Sequence, residues 1–334
     1  MAPVPLILDV DTGVDDALAL LYAVASPEVD LIAVTCVAGN VPLEMVTRNT
    51  LAVLEAAGRQ DVEVAAGADA PLVENLSPAF EVHGPGGLGN AVVAEPRNSV
   101  SDRSAVALLI EELRGRPGKI LFISTGPLTN VALALRDEPR LPELLGGCAM
   151  MAGAFAGTGN TLPRSEANVW FDPEAAAEVF RAFEGREPAP LAIGLDVTER
   201  VVLTTDGVDR IVRPSADSPL ARLIADAAAF YIAFHAAERP EAGGCFLHDP
   251  LAVAVAIDPA LVTTKTAHVE IELEGRHTRG QTVADFLRLW RHPWNARYGL
   301  ADAADNVRAA VAVDEPTFTS RFEERLRGLV EARA

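Results

Sequence analysis

Cationic side chains are scarce in this sequence. Its 334 residues include 28 lysines and arginines against 47 aspartates and glutamates, which gives a formal net charge of −19. Lys119 and Lys265 are the only lysines. Nucleic acids and anionic membranes are bound through cationic surfaces that displace counterions. The composition therefore argues against a nucleic-acid or membrane partner.

Cysteines and long apolar runs are also few. The three cysteines, Cys36, Cys148 and Cys245, are an odd number without a CxxC spacing, which predicts buried, reduced thiols. No apolar run approaches the ~18 residues of a membrane span. The N-terminal residues also lack the basic start of a secretory signal. We therefore expect a cytoplasmic protein.

Apolar residues, in contrast, are plentiful: 49% of the chain is hydrophobic and 22% is charged. Apolar runs of strand length alternate with segments of helical period. Strands are predicted at 4–8, 31–37, 62–65, 120–124, 148–151, 266–273 and 281–284, and helices at 17–25, 45–57, 104–113, 128–135, 219–237 and 318–330. Repeated βα units predict an α/β fold with an open, mostly parallel central sheet flanked by helices. No linker or repeat divides the chain, so we expect a single domain over residues 1–334.

Two long segments, 67–102 and 152–172, interrupt this alternation, and each follows a predicted strand. Loops of this length inside a compact domain usually carry function. Ligands of open parallel sheets bind beyond the carboxyl ends of the strands. We therefore expect both loops to cover a site at that edge.

Four aspartates follow the first strand within eight residues: Asp9, Asp11, Asp15 and Asp16, with Gly13 at the turn. Clustered carboxylates repel one another unless a cation, hydrogen-bond donors or raised pKa values compensate. One aspartate could simply cap the following helix, but a helix terminus offers too few N–H groups for four. Oxygen ligands favour Ca²⁺ or Mg²⁺.

Two known acidic motifs fit this stretch poorly. A calcium-binding EF-hand loop needs glycine at its sixth position, where Val14 stands, and a glutamate at its twelfth. A phosphatase of the haloacid dehalogenase type would need a lysine in a downstream loop and a second acidic pair. Neither is evident in the sequence.

Six spaced blocks resemble the inosine/uridine-preferring nucleoside hydrolase family, and the resemblance covers about residues 5–313. The blocks are 9–20, 37–40, 124–130, 150–175, 195–198 and 246–253. The resemblance implies hydrolysis of the N-glycosidic bond of ribonucleosides to ribose and free base, with a Ca²⁺-bound water activated by an aspartate. It also implies a homodimer or homotetramer.

The resemblance assigns residues to each part of the site. It implies that Ca²⁺ is held by Asp11, Asp16, the backbone carbonyl of Thr125, and Asp249, and that the residues named next have the roles given. Asp11 is the candidate general base, and Asn40 lies near the metal and the attacking water. The ribose hydroxyls are bound by Asp15, Asn160, Glu166, Asn168 and the region of Met151. The sequence departs from the usual family pattern at Thr12, Ala152, Ala154 and Ala167.

Histidines are the candidates for contact with the departing base. His248 precedes the metal-ligand candidate Asp249, which favours a role in catalysis. His83 lies in the glycine-rich loop and could close over the substrate. Tyr231 and His235 are four residues apart on one predicted helix, hence on one face, and are weaker candidates. His268, His277 and His292 have no supporting pattern.

Two alternatives stay open at this stage. The protein could hydrolyse another riboside, such as nicotinamide riboside or a modified nucleoside, or bind sugars with calcium without turnover. The pairing of Asp11 with His248 argues against pure binding, because binding needs neither a base nor an acid. The preference for purine or pyrimidine bases is not determined by the sequence.

Overall fold

The computed structural model describes residues 2–334. The strands are β1 (Val4–Val10), β2 (Val29–Cys36), β3 (Glu63–Ala66), β4 (Leu121–Ser124), β5 (Gly147–Met150), β6 (Leu191–Ala192), β7 (Val202–Leu203), β8 (Cys245–Phe246), β9 (Val262–Ala267), β10 (Val269–Ile271), β11 (Thr282–Ala284) and β12 (Val307–Val313). The helices are α1 (Val14–Val24), α2 (Leu43–Ala56), α3 (Phe80–His83), α4 (Ala105–Gly115), α5 (Thr129–Asp137), α6 (Leu141–Leu144), α7 (Ala167–Phe171), α8 (Pro173–Ala182), α9 (Leu195–Thr198), α10 (Thr205–Val212), α11 (Pro219–Glu238), α12 (His248–Ile257) and α13 (Glu315–Ala332).

The central sheet has eight strands in the order β3-β2-β1-β4-β5-β6-β12-β9. All neighbours are parallel except β12 and β9, which are antiparallel. The chain builds outward from β1 through β2 to β3, and then from β4 in the other direction. The order of the strands therefore reverses between β1 and β4, which is the place where open α/β sheets bind ligands. The predicted fold class is confirmed.

The core lies on both faces of the sheet. On β1, Leu6 and Leu8 belong to one apolar cluster with residues of α1, α2, α11 and α13, whereas Ile7 belongs to the cluster with α4, α5 and α8. Successive side chains of a strand point to opposite faces, so a strand buried on both faces is apolar throughout. The central position of β1 thus follows from its continuous apolar sequence.

The predicted strand at 266–273 is wrong in detail. Residues Val262–Ala267 form β9 in the central sheet, and Val269–Ile271 form β10, which pairs with β11 in a separate two-stranded sheet. His268 separates the two strands, because its side chain turns to the carbonyl of Ala304 and the carboxylate of Glu270. Both long loops also contain a short helix, α3 in the first and α7 in the second.

Cysteine burial matches the prediction at two positions. Cys36 and Cys245 are buried, whereas Cys148 is only half-buried, and none of the three forms a disulfide within residues 2–334. Cys148 begins to emerge because β5 is short and starts at the surface, with Gly147 and Cys148 both partly exposed.

One helix, α11, is long and apolar enough to cross a membrane by length and composition alone. This is weak evidence, because core helices meet the same criterion. In this fold Leu220, Ile224 and Tyr231 of α11 are buried against the rest of the protein.

Candidate active site

A cavity of about 750 Å³ lies beyond the carboxyl ends of β1 and β4, where the strand order reverses. Side chains from both long loops and from α11 and α12 line it. Its polar and aromatic lining includes Asp15, Asn40, His83, Thr125, Asn160, Glu166, Asn168, Trp170, Tyr231, His235, Arg239, Phe246, His248 and Asp249. The sulfur-bearing Met151 also lines it. The structure thus brings together at one cavity most of the residues assigned from the sequence.

Asp9, the first of the four aspartates, is buried within the sheet and connects the elements that carry the site. It is fully buried, and its carboxylate accepts hydrogen bonds from Thr35 Oγ1 at 2.6 Å and Asn130 Nδ2 at 2.8 Å. Burial raises its pKa to about 6, against the opposing effect of these hydrogen bonds. Asn130 also donates to the carbonyl of Cys36 at 3.0 Å, so Asp9 joins β1 to β2 and α5.

Asp11 directly follows β1, and one of its carboxylate oxygens has a hydrogen-bond partner while the other has none. Its Oδ2 accepts from the backbone N–H of Asn40 at 2.7 Å, while Oδ1 is buried without a partner within residues 2–334. Position 39, in the turn after β2, requires glycine, because a Cβ at Gly39 would lie 2.1 Å from Asp11 Oδ2. The backbone therefore approaches this carboxylate closely enough to fix its orientation.

Asp15 and Asp16 occupy the first turn of α1, where the helix dipole favours negative charge. Asp16 accepts from the N–H of Gly13 at 3.0 Å, from Asn40 Nδ2 at 3.2 Å and from Thr125 Oγ1 at 2.7 Å. Asp15 accepts only from the hydroxyl of Tyr231, at 3.4 Å, and its Oδ1 is buried without a partner among the described residues.

The acidic groups perturb one another strongly. Burial and the charge of Asp16 raise the pKa of Asp15 to about 7 and that of Asp11 well above its usual value. Burial and the neighbouring aspartates likewise raise the pKa of Asp249, and burial raises that of Asp16. Without a compensating cation, this cluster favours partial protonation.

The donor set fits a hard divalent cation. Carboxylate oxygens of Asp15, Asp16 and Asp249 lie within 4.8 Å of one another. The resemblance implies Asp11, Asp16, the Thr125 carbonyl and Asp249 as the ligands, and the structure also brings Asp15 close to Asp16 and Asp249. The unpartnered oxygens of Asp11 and Asp15 are the further observation that favours a cation, because buried polar atoms normally have partners.

The second long loop supplies the amide groups on one side of the cavity. Asn168 Nδ2 donates to the carbonyls of Thr125 at 2.7 Å and Met151 at 3.0 Å, so its Oδ1 is left to accept from a ligand. Glu166 begins α7 and accepts from the N–H groups of Gly153, Asn168 and Val169. Burial raises the pKa of Glu166. Asn160, which is exposed, accepts from the N–H of Ala167 at 2.9 Å.

An aromatic wall faces the acidic cluster. The ring of Tyr231 stacks on His83 at 5.7 Å between centroids and meets the edge of His235 at 4.5 Å, and Phe246 lies between His235 and His248. Burial, with His235 nearby, lowers the pKa of both His83 and His248 to about 3, so both rings are neutral at pH 7.

The sequence predicts that His83 closes over the substrate as part of a mobile loop. In the structure His83 is instead packed into the aromatic wall. It is 4% exposed, and its Nδ1 accepts from the backbone N–H of Val14 at 3.1 Å. That bond places the ring's proton on Nε2. His83 therefore links α3 to the start of α1 at the edge of the acidic cluster.

Two departures from the family pattern have a structural setting. Thr12 is buried, and its hydroxyl pairs with that of Thr50 at 2.6 Å, which ties the turn after β1 to α2. Ala167 lines the cavity, as does Trp170, three residues later on α7. Trp170, Phe246 and Thr198 lie within the matched blocks but receive no role from the sequence, because no local pattern distinguishes them from core residues.

Comparisons with known proteins agree with this geometry. The family model described as inosine-uridine preferring nucleoside hydrolase matches residues 6–320. The chain is 36% identical over 323 residues, 97% of its length and 98% of the relative's, to a protein of Escherichia coli described as pyrimidine-specific ribonucleoside hydrolase RihA.

Two solved structures match almost end to end. A purine-preferring ribonucleoside hydrolase from Gardnerella vaginalis superposes with a TM-score of 0.89 at 36% identity, covering 98% of this chain and 99% of that one. A plant nucleoside hydrolase, PpNRh1, gives a TM-score of 0.88 at 34% identity over 97% and 99% of the two chains. The chain therefore belongs to the inosine-uridine preferring nucleoside hydrolase family, enzymes that hydrolyse the N-glycosidic bond of ribonucleosides.

Proposed function

We propose that this protein hydrolyses neutral ribonucleosides with Asp11 as general base and with Ca²⁺ as the resident cation. The observation that carries the proposal is one cavity with buried carboxylates on one side and a wall of neutral histidines and aromatics on the other. The carboxylate side suits the hydroxyls of a ribose. The aromatic side suits a planar base.

The carboxylates favour the charge that develops during cleavage. Breaking an N-glycosidic bond builds positive charge on the anomeric carbon and ring oxygen, as in other glycoside hydrolyses. Fixed negative groups beneath the sugar stabilise that charge in a site shielded from water. Asp11, Asp15 and Asp249 are all at most 5% exposed, so their fields are weakly screened.

The metal would be held by the carboxylates of Asp11, Asp16 and Asp249 and by the carbonyl of Thr125, with Asp15 beside them. When bound, Ca²⁺ would supply a Lewis acid that orients vicinal hydroxyls and makes a water more acidic. Asp11 would accept the proton of the attacking water through its free Oδ1, with Oδ2 held by Asn40. A well-placed carboxylate base contributes roughly 10²–10⁴-fold.

The remaining polar residues would hold the sugar. Asp15 has a free oxygen for a hydroxyl donor, and Asn168 offers its amide oxygen beside the carbonyl of Thr125. Asn160 has its amide nitrogen available, and Glu166 keeps α7 and Gly153 in place around Met151.

The base would lie against His83, Tyr231, His235 and His248. His248 is the group proposed to stabilise the departing base, and because its imidazole is neutral it would act as a hydrogen-bond donor. Its position on α12 directly before Asp249 brings this donor next to the acidic cluster.

Base preference has to be measured. One relative is described as pyrimidine-specific and a solved neighbour as purine-preferring, and both are 36% identical to this chain. The test is release of reducing sugar from inosine, uridine and 2′-deoxyuridine. Hydrolysis of at least one ribonucleoside, with 2′-deoxyuridine poorer than uridine, is expected because a site built for a hydroxyl rejects its absence. Failure with a broad panel of ribosides would contradict the proposal.

We also propose a cytoplasmic homodimer or homotetramer. Association between copies is supported by an exposed apolar segment in which Leu287, Leu289, Trp294 and Tyr298 are 50–75% exposed. Exposed Trp and Tyr are typical of protein interfaces. Light scattering after size exclusion would give the mass, and a monomer at micromolar concentration would contradict this part.

A further inference from the structure

Thr198, at the end of α9, contacts the histidine proposed to meet the departing base. Its side chain is fully buried, and its Oγ1 lies 2.8 Å from His248 Nδ1. Within residues 2–334 this is the only hydrogen bond of the Thr198 hydroxyl. The pair joins the segment after β6 to the first residue of α12.

The donors and acceptors available to Thr198 and His248 determine the direction of this hydrogen bond. If Nδ1–H donated to Thr198, the buried hydroxyl proton would have no acceptor, which costs free energy. If the hydroxyl donates to Nδ1, both groups are satisfied and the imidazole carries its proton on Nε2. Nε2 of His248 makes no hydrogen bond to residues 2–334. It is also not completely buried, so it is accessible to a ligand in the cavity.

The backbone holds the two residues at this separation. Leu247, directly before His248, donates its N–H to the carbonyl of Val201 at 3.1 Å, three residues after Thr198. The N–H of Thr198 donates to the carbonyl of Gly194 at 3.1 Å. A Cβ at Gly194 would lie 2.5 Å from the carbonyl oxygen of Gly153, so α9 begins tightly against the loop after β5.

We propose that Thr198 is a positioning residue that fixes His248 as the Nε2–H tautomer, with that donor directed at the departing base. The proposal rests on the function proposed above. Thr198 takes no part in proton transfer. The electron pair of the broken bond goes to the base nitrogen, and Nε2–H stabilises it by hydrogen bonding to an acceptor atom on the base.

The test compares Thr198→Val, which keeps the shape but removes the hydroxyl, with Thr198→Ser, which keeps the hydroxyl. The quantity measured is kcat for the best nucleoside divided by kcat for p-nitrophenyl riboside, whose leaving group needs no stabilising donor. We expect Thr198→Val to lower this ratio about five- to tenfold, the net effect of one hydrogen bond. Thr198→Ser should stay within about threefold of the wild type. Thr47→Val, whose hydroxyl bonds within α2, is the matched control and should leave the ratio unchanged.

A spectroscopic measurement needs no turnover. In protein labelled with ¹⁵N-histidine, with the His248 signals assigned by their loss in His248→Gln, the wild type and Thr198→Ser should show Nε2–H. Thr198→Val should show the Nδ1–H form or a mixture. If the wild type fails to hydrolyse nucleosides, the function proposed above fails while the tautomer is still measured.

Three results would overturn the proposal. One is a wild-type His248 protonated at Nδ1. Another is an unchanged substrate ratio in Thr198→Val. The third is an equal loss on both substrates that Thr198→Ser does not restore, which would indicate that the hydroxyl only supports the fold.

Discussion

At the scale of single residues, the site depends on which polar atoms are left without partners. Most buried polar atoms in this protein are paired, yet one oxygen each of Asp11 and Asp15 is not. Asn40, in contrast, donates to both neighbours: its backbone N–H to Asp11 and its Nδ2 to Asp16. The unpaired oxygens are therefore the groups available to a ligand, and the paired ones fix their direction.

Asp11→Asn should retain the fold and lose most turnover. The amide has nearly the same volume but cannot accept a proton, and it weakens the negative field of the cluster. We expect kcat to fall by at least roughly 10²-fold. Steady-state kinetics, with circular dichroism to verify folding, measures this. A kcat within a few-fold of the wild type would remove Asp11 from the role of base.

At the scale of secondary structure, a single side chain can hold the backbone of a loop in place through several hydrogen bonds. Asp196, on α9, accepts from three successive backbone N–H groups, those of Phe155, Ala156 and Gly157, at 2.8–2.9 Å. These residues begin the loop that leads to Asn160 and Glu166. The carboxylate thus fixes the start of the segment that forms one side of the cavity.

Asp196→Asn should loosen that loop. An amide offers one oxygen in place of two and turns its NH₂ toward N–H donors, so we expect a loss of about 1–3 kcal/mol of loop stability. KM should rise more than kcat falls, and cleavage by trypsin at Arg164 should become faster. The exposed Asp209→Asn is the control. Unchanged KM and protease resistance would show that Asp196 does not hold the loop.

The strand break at His268 shows how one side chain separates two strands. Its two ring nitrogens face two acceptors, the carbonyl of Ala304 at 2.7 Å and the carboxylate of Glu270 at 2.8 Å, and only a doubly protonated ring can donate to both. Burial lowers the pKa of His268, but the bonds to Glu270 and Ala304 outweigh it and raise the pKa above its usual value.

His268 should therefore make stability pH-dependent. Because its folded-state pKa is raised, its contribution is fully present below the unfolded pKa near 6.5 and is lost as pH rises through the folded value. Urea unfolding at several pH values should show the wild type losing more stability than His268→Gln as the pH rises above about 6.5. Parallel pH profiles would show that His268 is not an imidazolium in the fold.

These examples also show what the sequence could predict. The strand of β1 and the acidic turn were predictable, because their pattern is local, although α1 begins at Val14, three residues before the predicted start. The two-residue strand β6 and the break at His268 were not. The partner of His268, Ala304, lies 36 residues away, and Thr198 and His248 are 50 apart. The position of His248 directly before Asp249 made it a candidate, but only the fold shows which hydroxyl it contacts.

At the scale of the whole molecule, the acidic cluster links metal binding to stability. The cluster lies at the centre of the fold, where β1, β4, α1 and α12 meet, and burial raises the pKa of each of its carboxyl groups. Without a cation the folded state must accept either repulsion or bound protons. A cation that binds only the folded protein relieves both and therefore stabilises the whole chain.

Removal of the proposed Ca²⁺ should consequently lower the melting temperature of the purified protein, and restoring it should raise the melting temperature again. At 100 times its Kd, a ligand adds about 2.7 kcal/mol, which for a chain of this size corresponds to roughly 4 °C. Differential scanning calorimetry with a chelator, then with excess Ca²⁺, measures the shift, and elemental analysis identifies the resident ion. Asp16→Asn should show a smaller shift.

Binding should also release protons near pH 7, because the pKa of Asp15 is raised to about 7 in the metal-free cluster. Calcium affinity should therefore increase as pH rises through that value. Zinc as the resident ion would contradict the proposal of calcium, as would a melting temperature and activity unaffected by exhaustive chelation.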